Sequence, residues 1–264
     1  GFGSREILNK AAIMNGIDGG ELISPTLTFE AINQFASKTM KTNVVRVPMT
    51  KEIGIDLKTT GQMVNSKTNM VYLCNPNNPT GVVMNHKELE VFCKETSKKS
   101  IVFVDEAYHE YVMDKQYRSM VSLVNEGYDV LISRTASKVH GLAGLRVGYA
   151  ISTPKIIKRL NSYMNGSLNV VGLRGAIASY KDKRFQKFSI EKNNEGRTIV
   201  TDYLDKKGIE YLDSQTNFIF IKTGIDIKKF QPAMEKHKVL VGRPFPPYTD
   251  WCRLSIAKPE EMES

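Results

Sequence analysis

The chain has 264 residues, 41% hydrophobic and 25% charged, a composition that suits a globular protein with a sizeable core and leaves no tract polar enough to stay disordered. Its formal net charge of +9 and pI of about 9.3 would suit nucleic acid, an acidic membrane surface or a phosphorylated small molecule. Lysine supplies the excess without a long basic run, and no nucleic-acid-reading motif accompanies it, so we read a basic surface without a nucleic-acid partner.

Cys74, Cys93 and Cys252 cannot all pair and have no metal-ligand spacing, and His86, His109, His140 and His237 are too scattered for a metal site, which implies a reducing compartment and no metal. No apolar run reaches the roughly eighteen residues of a membrane span, and the start GFGSREIL lacks signal-peptide character. The reading is a soluble, cytoplasmic protein without a membrane partner. The chain opens on a glycine instead of a methionine, as though a segment upstream were missing.

In chain order, residues 1–4 form a glycine-rich turn and residues 5–15 carry apolar side chains at helical spacing. Ser4 reads as the N-cap of that helix, whose free backbone N–H groups suit an anion. ELISP (21–25) is a short strand, 28–39 a helix and 42–49 a strand. MVYLC (70–74) is an apolar strand that runs into NPNNPTG (75–81), a sharply turned loop, and a helix follows over about 85–98. IVFV (101–104) is a buried strand ending at Asp105, Glu106, Ala107 and Tyr108; YDVLISR is the next, ending near Lys138, and RVGYAIS another. Strands alternating with helices predict an α/β fold with a mostly parallel sheet and flanking helices.

From Pro154 the pattern changes to helices with charged faces, about 155–163, 170–180 and 183–206 with breaks. GIEYLDSQTNFIFIKTG then reads as two strands and a turn, IDIKKFQPAMEKHKV as a helix, and VLVGRPFPPYTDWCRLSIAKP as two strands around a proline-rich loop. This α+β tail predicts a smaller C-terminal domain: a large domain over 1–160, connecting helices over 161–190 and a small domain over 191–264.

Four features fall at strand ends: the opening turn, the asparagine-rich loop, Asp105 with Tyr108, and Lys138 with Arg146. Each alone has an ordinary account. Asn77 and Asn78 would be turn formers, Asp105 a strand-end cap, Tyr108 a core residue and Arg146 a salt-bridge partner. One parallel sheet would bring all of them to the carboxyl edge where such folds bind ligands, which points to a common site. A lysine just past a strand end, among small hydroxyl residues and eight positions before an arginine, suits an aldehyde-phosphate cofactor. The lysine condenses with the aldehyde, and Arg146, Ser137 and Thr135 hold the phosphate.

The segments CNPNNPTG (74–81), VDEAYHEY (104–111) and SRTASKVHGLAGLRVGYA (133–150) resemble, in collinear order, the fold-type I pyridoxal-phosphate-dependent aminotransferases of class I and II, in particular their histidinol-phosphate aminotransferase branch. GFGSREIL and WCRLSIAKPEEME are similar to that branch as well, so the resemblance covers nearly the whole chain. It implies pyridoxal 5′-phosphate, a homodimer, and transfer of an amino group from an amino acid such as glutamate to a 2-oxo acid or imidazole-acetol phosphate. Residue by residue, it implies that Lys138 is the Schiff-base lysine and the proton-moving base and that Asp105 is the partner of the pyridine nitrogen. Asn78 and Tyr108 would hydrogen-bond the phenolic oxygen. Ser4 and Arg5 would join Thr135, Ser137 and Arg146 around the phosphate, and Phe29 would stack on the ring. Arg253 would grip the substrate α-carboxylate, Arg243 the distal part of the substrate, and Asn217 would lie on the substrate side.

The family carries a longer N-terminal part ahead of the glycine turn, including an arm and a tyrosine that reaches the neighbouring subunit's phosphate site. The resemblance therefore implies an N-terminally incomplete large domain. Arg5 stands where the family commonly has an acidic residue. Other readings fit some of the same letters. Thr135-Ala-Ser-Lys138, Ser167-Leu-Asn169 and Lys222-Thr-Gly224 imitate the motifs of penicillin-binding proteins and serine β-lactamases, with threonine where the serine nucleophile is needed. An aminotransferase-like domain can also act without catalysis as an effector-sensing module behind a DNA-binding domain, and decarboxylation of a phosphorylated amino acid is a close relative of transamination on this scaffold.

Overall fold

Short apolar runs bounded by turn residues become strands, and the amphipathic stretches between them become helices that cover both sheet faces. In the computed structural model, which describes residues 1–163 and 166–263, the strands are β1 (Glu21–Pro25), β2 (Asn43–Val47), β3 (Thr68–Cys74), β4 (Ile101–Asp105), β5 (Val130–Thr135), β6 (Gly148–Ile151), β7 (Phe218–Lys222) and β8 (Trp251–Ser255). The helices are α1 (Ser4–Gly16), α2 (Ala31–Lys38), α3 (Leu57–Met63), α4 (His86–Thr96), α5 (Val121–Asn125), α6 (Pro154–Asn161), α7 (Val170–Lys181), α8 (Lys183–Lys207), α9 (Ile227–Lys236) and α10 (Pro259–Met262).

The first six strands form one sheet in the order β2-β1-β3-β4-β5-β6. All its pairings are parallel except β5 with β6, so the fold is the predicted α/β class with one antiparallel edge strand. β7 and β8 make a separate antiparallel pair. Period-two alternation divides the large core in two. Tyr72, Phe103 and Leu131 pack with Leu8 and Ala11 of α1 and Ile32 of α2. On the other face Val102, Val104 and Ile132 pack with Leu89 and Phe92 of α4 and Leu123 of α5. Each large side chain buried this way contributes about 1.5–3 kcal/mol.

Cys74 pairs with Asp105 and Asp105 with Ser133, so the ends of β3, β4 and β5 present these three side chains in a row on the α1 face.

Several expectations are corrected. Ser4 is the first residue of α1 and Gly3 is its N-cap, with φ 77° and no side-chain cap bond. A Cβ on Gly148 would stand 2.5 Å from the backbone of Gly3 and Ser4, so a glycine in β6 lets the start of α1 lie directly against the sheet. The helix expected over 28–39 is confined to Ala31–Lys38, and the helix expected to break within 183–206 runs unbroken as α8. Gly196 does not break it, because α8 packs there on the segment before α10: a Cβ at Gly196 would lie 3.0 Å from the Ala257 carbonyl. Of the four strands expected after residue 207, only β7 and β8 form; Tyr211 and Phe245 make single bridges, to Ile221 and Tyr248. α8 and α9 cover one side of the β7–β8 pair through Leu204, Ile219 and Ile227. On the other side Phe220, Phe245 and Trp251 meet Leu27 and Ile53 from the large-sheet half of the chain. No helix among the described residues is long and apolar enough to cross a membrane.

Candidate active site

Asp105 closes β4 and is 2% exposed. Its Oδ1 accepts a 2.6 Å hydrogen bond from Ser133 Oγ and its Oδ2 a 3.3 Å bond from the Tyr72 hydroxyl. Burial pushes its carboxyl above the ordinary value, and the two hydroxyls and the charge of Lys138 oppose that rise. Lys138 lies just past β5, with Nζ 4.7 Å from the centre of the Tyr108 ring. Burial draws the Lys138 ammonium below its usual range; Asp105 works against this, while the positive charges of Arg253 and Arg146 work with it. A buried lysine with a lowered pKa has more of its amine in the nucleophilic, proton-accepting form.

The asparagine-rich loop separates into structural and site-facing residues. Asn75 and Asn78 each precede a cis proline. Asn75 Oδ1 caps the Met84 N–H at 2.9 Å, and Asn77 accepts from Thr28 Oγ1 at 2.9 Å while donating to the Leu27 carbonyl and Thr80 Oγ1 at 3.0 Å. Those two asparagines hold the loop. Asn78 faces the other way: its Nδ2 donates to the Tyr108 hydroxyl at 3.3 Å and its Oδ1 accepts from Arg253 Nη1 at 2.9 Å. Tyr108, 4% exposed, has its phenol pushed up by burial and packs edge-on against Phe218, ring centres 5.1 Å apart. The Arg253 guanidinium lies 5.0 Å from the centre of the same Phe218 ring, and its buried Nε has no hydrogen-bond partner among the described residues. Asn78 therefore links an arginine on β8 to the tyrosine that lies under Lys138.

A second group adjoins the first at the opening turn. Thr135 Oγ1 donates to Ser137 Oγ at 2.9 Å, one residue before Lys138. Arg146, in the left-handed region at φ 54°, donates to the carbonyls of Ala143 at 2.7 Å and Phe2 at 3.3 Å. A Cβ on Gly3 would meet its Nη2 at 2.4 Å, so the glycine N-cap is what lets this guanidinium approach the start of α1. A helix N-terminus without a side-chain cap, two hydroxyls and an arginine make a place suited to a dianion.

The remaining candidates stand farther out. Arg5 is exposed and Ser4 half-buried on the first turn of α1. Phe29 is half-buried ahead of α2 and packs on the core of the α1 face. Asn217 precedes β7, and its carbonyl accepts from the Ile256 N–H at 2.9 Å. Arg243 is exposed, 4.3 Å from the Phe245 ring centre, on the rim of a cleft of about 490 Å³ that Thr28, Glu30, Arg46 and Phe245 also line. Tyr72, Ser133 and Phe218 touch site residues but were not anticipated. The signal for Ser133 was its place one strand over from Asp105 in register; Tyr72 and Phe218 read as plain apolar strand residues.

Residues 2–264 match the family described as aminotransferase class I and II, and the chain belongs to that family, whose members are pyridoxal-phosphate-dependent enzymes acting on small amino and oxo acids. Within it, the chain is 34% identical over 267 residues to histidinol-phosphate aminotransferase 2 of Hydrogenovibrio crunogenus, covering 100% of this chain and 71% of that protein. It is 37% identical over 232 residues to histidinol-phosphate aminotransferase of Brevibacillus brevis, covering 86% of this chain and 62% of that one. The crystal structure of histidinol-phosphate aminotransferase from Sinorhizobium meliloti in complex with pyridoxal-5′-phosphate matches with a TM-score of 0.89 at 25% identity, over 100% of this chain and 73% of that one.

Proposed function

We propose that this chain transfers an amino group from an amino acid, with glutamate the expected donor, to a 2-oxo acid or to imidazole-acetol phosphate. The observation that carries this reading is the Arg253–Asn78–Tyr108 hydrogen-bond chain running up to Lys138, with Asp105 at the neighbouring strand end. The donor set fits the cofactor and its substrate: Arg253 gives Nη1 to Asn78 but keeps an unpartnered buried Nε that suits a substrate carboxylate, and the glycine contact between Arg146 and the start of α1 makes a cradle of N–H donors for the phosphate. When bound, pyridoxal phosphate supplies an aldehyde that takes up an amine and a ring that draws electrons from the substrate Cα.

The chain's own residues then take these parts. Lys138 would hold the cofactor through Nζ, and the same amine, when free, would carry the proton of the substrate Cα. Asp105 holds positive charge on the ring nitrogen. Tyr108 and Asn78 donate to the phenolic oxygen, and Thr135, Ser137, Arg146, Ser4 and Arg5 hold the phosphate, with Phe29 against the ring. Arg253 receives the α-carboxylate in the two-pronged manner a lysine does not reproduce. Arg243 and Asn217 lie on the substrate side, Arg243 toward its distal end. The working unit is proposed to be a cytoplasmic homodimer divided into 1–160, 161–190 and 191–264.

The reading is tested by offering a panel of amino acids to the pyridoxal-phosphate form and following its conversion to the pyridoxamine form by absorbance, then returning it with 2-oxo acids and imidazole-acetol phosphate. Conversion by glutamate and return by one of these acceptors is expected; a protein that binds the cofactor yet converts with no donor would contradict it.

A further inference from the structure

We infer that Tyr72 and Ser133 are positioning residues that clamp the Asp105 carboxylate from either side and keep it charged and correctly aimed for a cationic ring nitrogen, an inference that rests on the reading of Asp105 above. The clamp is built from the sheet itself. Asp105 and Ser133 are direct partners across β4 and β5, so the serine hydroxyl needs no loop to reach Oδ1 at 2.6 Å. Tyr72 pairs with Phe103, two residues before Asp105, and its ring stands edge-on to Phe103 at 5.5 Å, which fixes the direction in which its hydroxyl meets Oδ2 at 3.3 Å. Tyr72 and Ser133 are 0% exposed and Asp105 2%. Bulk water therefore has little access to the two donors or to the carboxylate.

The chemistry of the donors matters as much as their place. A carboxylate taken out of water needs hydrogen bonds, and a guanidinium would supply them while cancelling the charge. Two hydroxyls satisfy the oxygens and leave the charge uncancelled. The Ala107 backbone N–H also donates to the carboxylate, and the other side chains facing Asp105 do not take the place of the two hydroxyls. Cys74, its register partner on β3, turns its Sγ to the Pro76 carbonyl at 3.2 Å, and Tyr108 is engaged with Asn78. Lys138 acts on Asp105 through charge without a hydrogen bond to it among the described contacts.

The test uses two substitutions that each remove one oxygen and preserve the packing, Ser133→Ala and Tyr72→Phe, singly and together in the full chain. The protonation midpoint of Asp105 is read by isotope-edited infrared spectroscopy before cofactor is added, with Asp105→Asn assigning the carboxyl band. The midpoint is expected to move up in each variant, by about one pH unit for Ser133→Ala, a tenfold change in the ionisation equilibrium, and by less for Tyr72→Phe. The dissociation constant for pyridoxal phosphate, read by fluorescence, is expected to rise in the same order. An unchanged midpoint in the double variant overturns the clamp. If the midpoints move but Asp105→Asn binds pyridoxal phosphate as tightly as the parent, the clamp on the carboxylate stands and the assignment of Asp105 to the ring nitrogen falls.

Discussion

Asp105 and Glu106 are consecutive carboxylates at the end of β4, both buried, and the sheet sends them to opposite faces with different company. Glu106 turns to the α5 side and is saturated: Arg134 reaches it through Nε at 3.1 Å and Nη2 at 2.8 Å, Ser119 Oγ at 2.8 Å and the Met120 N–H at 2.9 Å. Asp105 turns to the α1 side and is met by neutral donors, the hydroxyls of Ser133 and Tyr72 and the backbone N–H of Ala107, with Lys138 within reach of its field. A carboxylate already neutralised by an arginine that donates twice to its Oε2 is an anchor for the loop after β4. One held by neutral donors keeps an open demand for a cation, and that is where a protonated ring nitrogen would bind.

The contrast predicts that the two residues fail in different ways. Glu106→Ala strands the Arg134 guanidinium and is expected to cost about 3–5 kcal/mol of stability, read by urea or thermal unfolding, while turnover per folded molecule changes little. Asp105→Ala is expected to do the reverse, lowering turnover by about 10²-fold or more through loss of electrostatic support at the ring, with a smaller change in the unfolding midpoint. Equal losses of stability and turnover in both variants would break the comparison.

The pH dependence sharpens it. Burial places the folded Asp105 carboxyl above its unfolded value, so its protonated form favours the fold; that contribution is fully present below about pH 3.9 and is lost as pH rises through the folded value. Without cofactor, the parent protein should therefore lose stability relative to Asp105→Asn as pH rises through that window, as measured by unfolding across a pH series. On the substrate side, Arg253→Lys should raise the KM for the amino donor by about tenfold, since one prong of a charge-assisted pair is lost. Arg243→Ala should have the smallest effect, a few-fold rise in KM confined to phosphorylated acceptors, because an exposed cation contributes about 0–1 kcal/mol. An equal effect on unphosphorylated acceptors would move Arg243 out of the substrate site.

Much of this was legible because apolar runs of strand length stop abruptly at polar residues. β3, β4 and β5 end at Cys74, Asp105 and Thr135, and a parallel sheet aligns such ends without further information. Lys138, Tyr108 and Asn78 follow, because each stands at or just past a strand end, whereas Arg253 came from the family resemblance alone. What stayed hidden depends on partners distant in sequence. The apolar alternation around Tyr211 and Val239 reads as strand, but a strand exists only where a neighbour accepts its ladder, and only β7 and β8 find one another. α3 and α5 are too short for periodicity to reveal them. Tyr72 and Ser133 looked like strand interior until the register put their hydroxyls beside Asp105.

Lys138 is the residue proposed to take the cofactor's aldehyde, beside Asp105, Tyr108 and Arg253. The most direct measurement is to load the protein with pyridoxal phosphate, reduce it with borohydride and locate the label by peptide mass spectrometry. One stoichiometric label is expected on the peptide carrying Lys138 and none in Lys138→Ala. Label on a different lysine, or full labelling of Lys138→Ala, would contradict it.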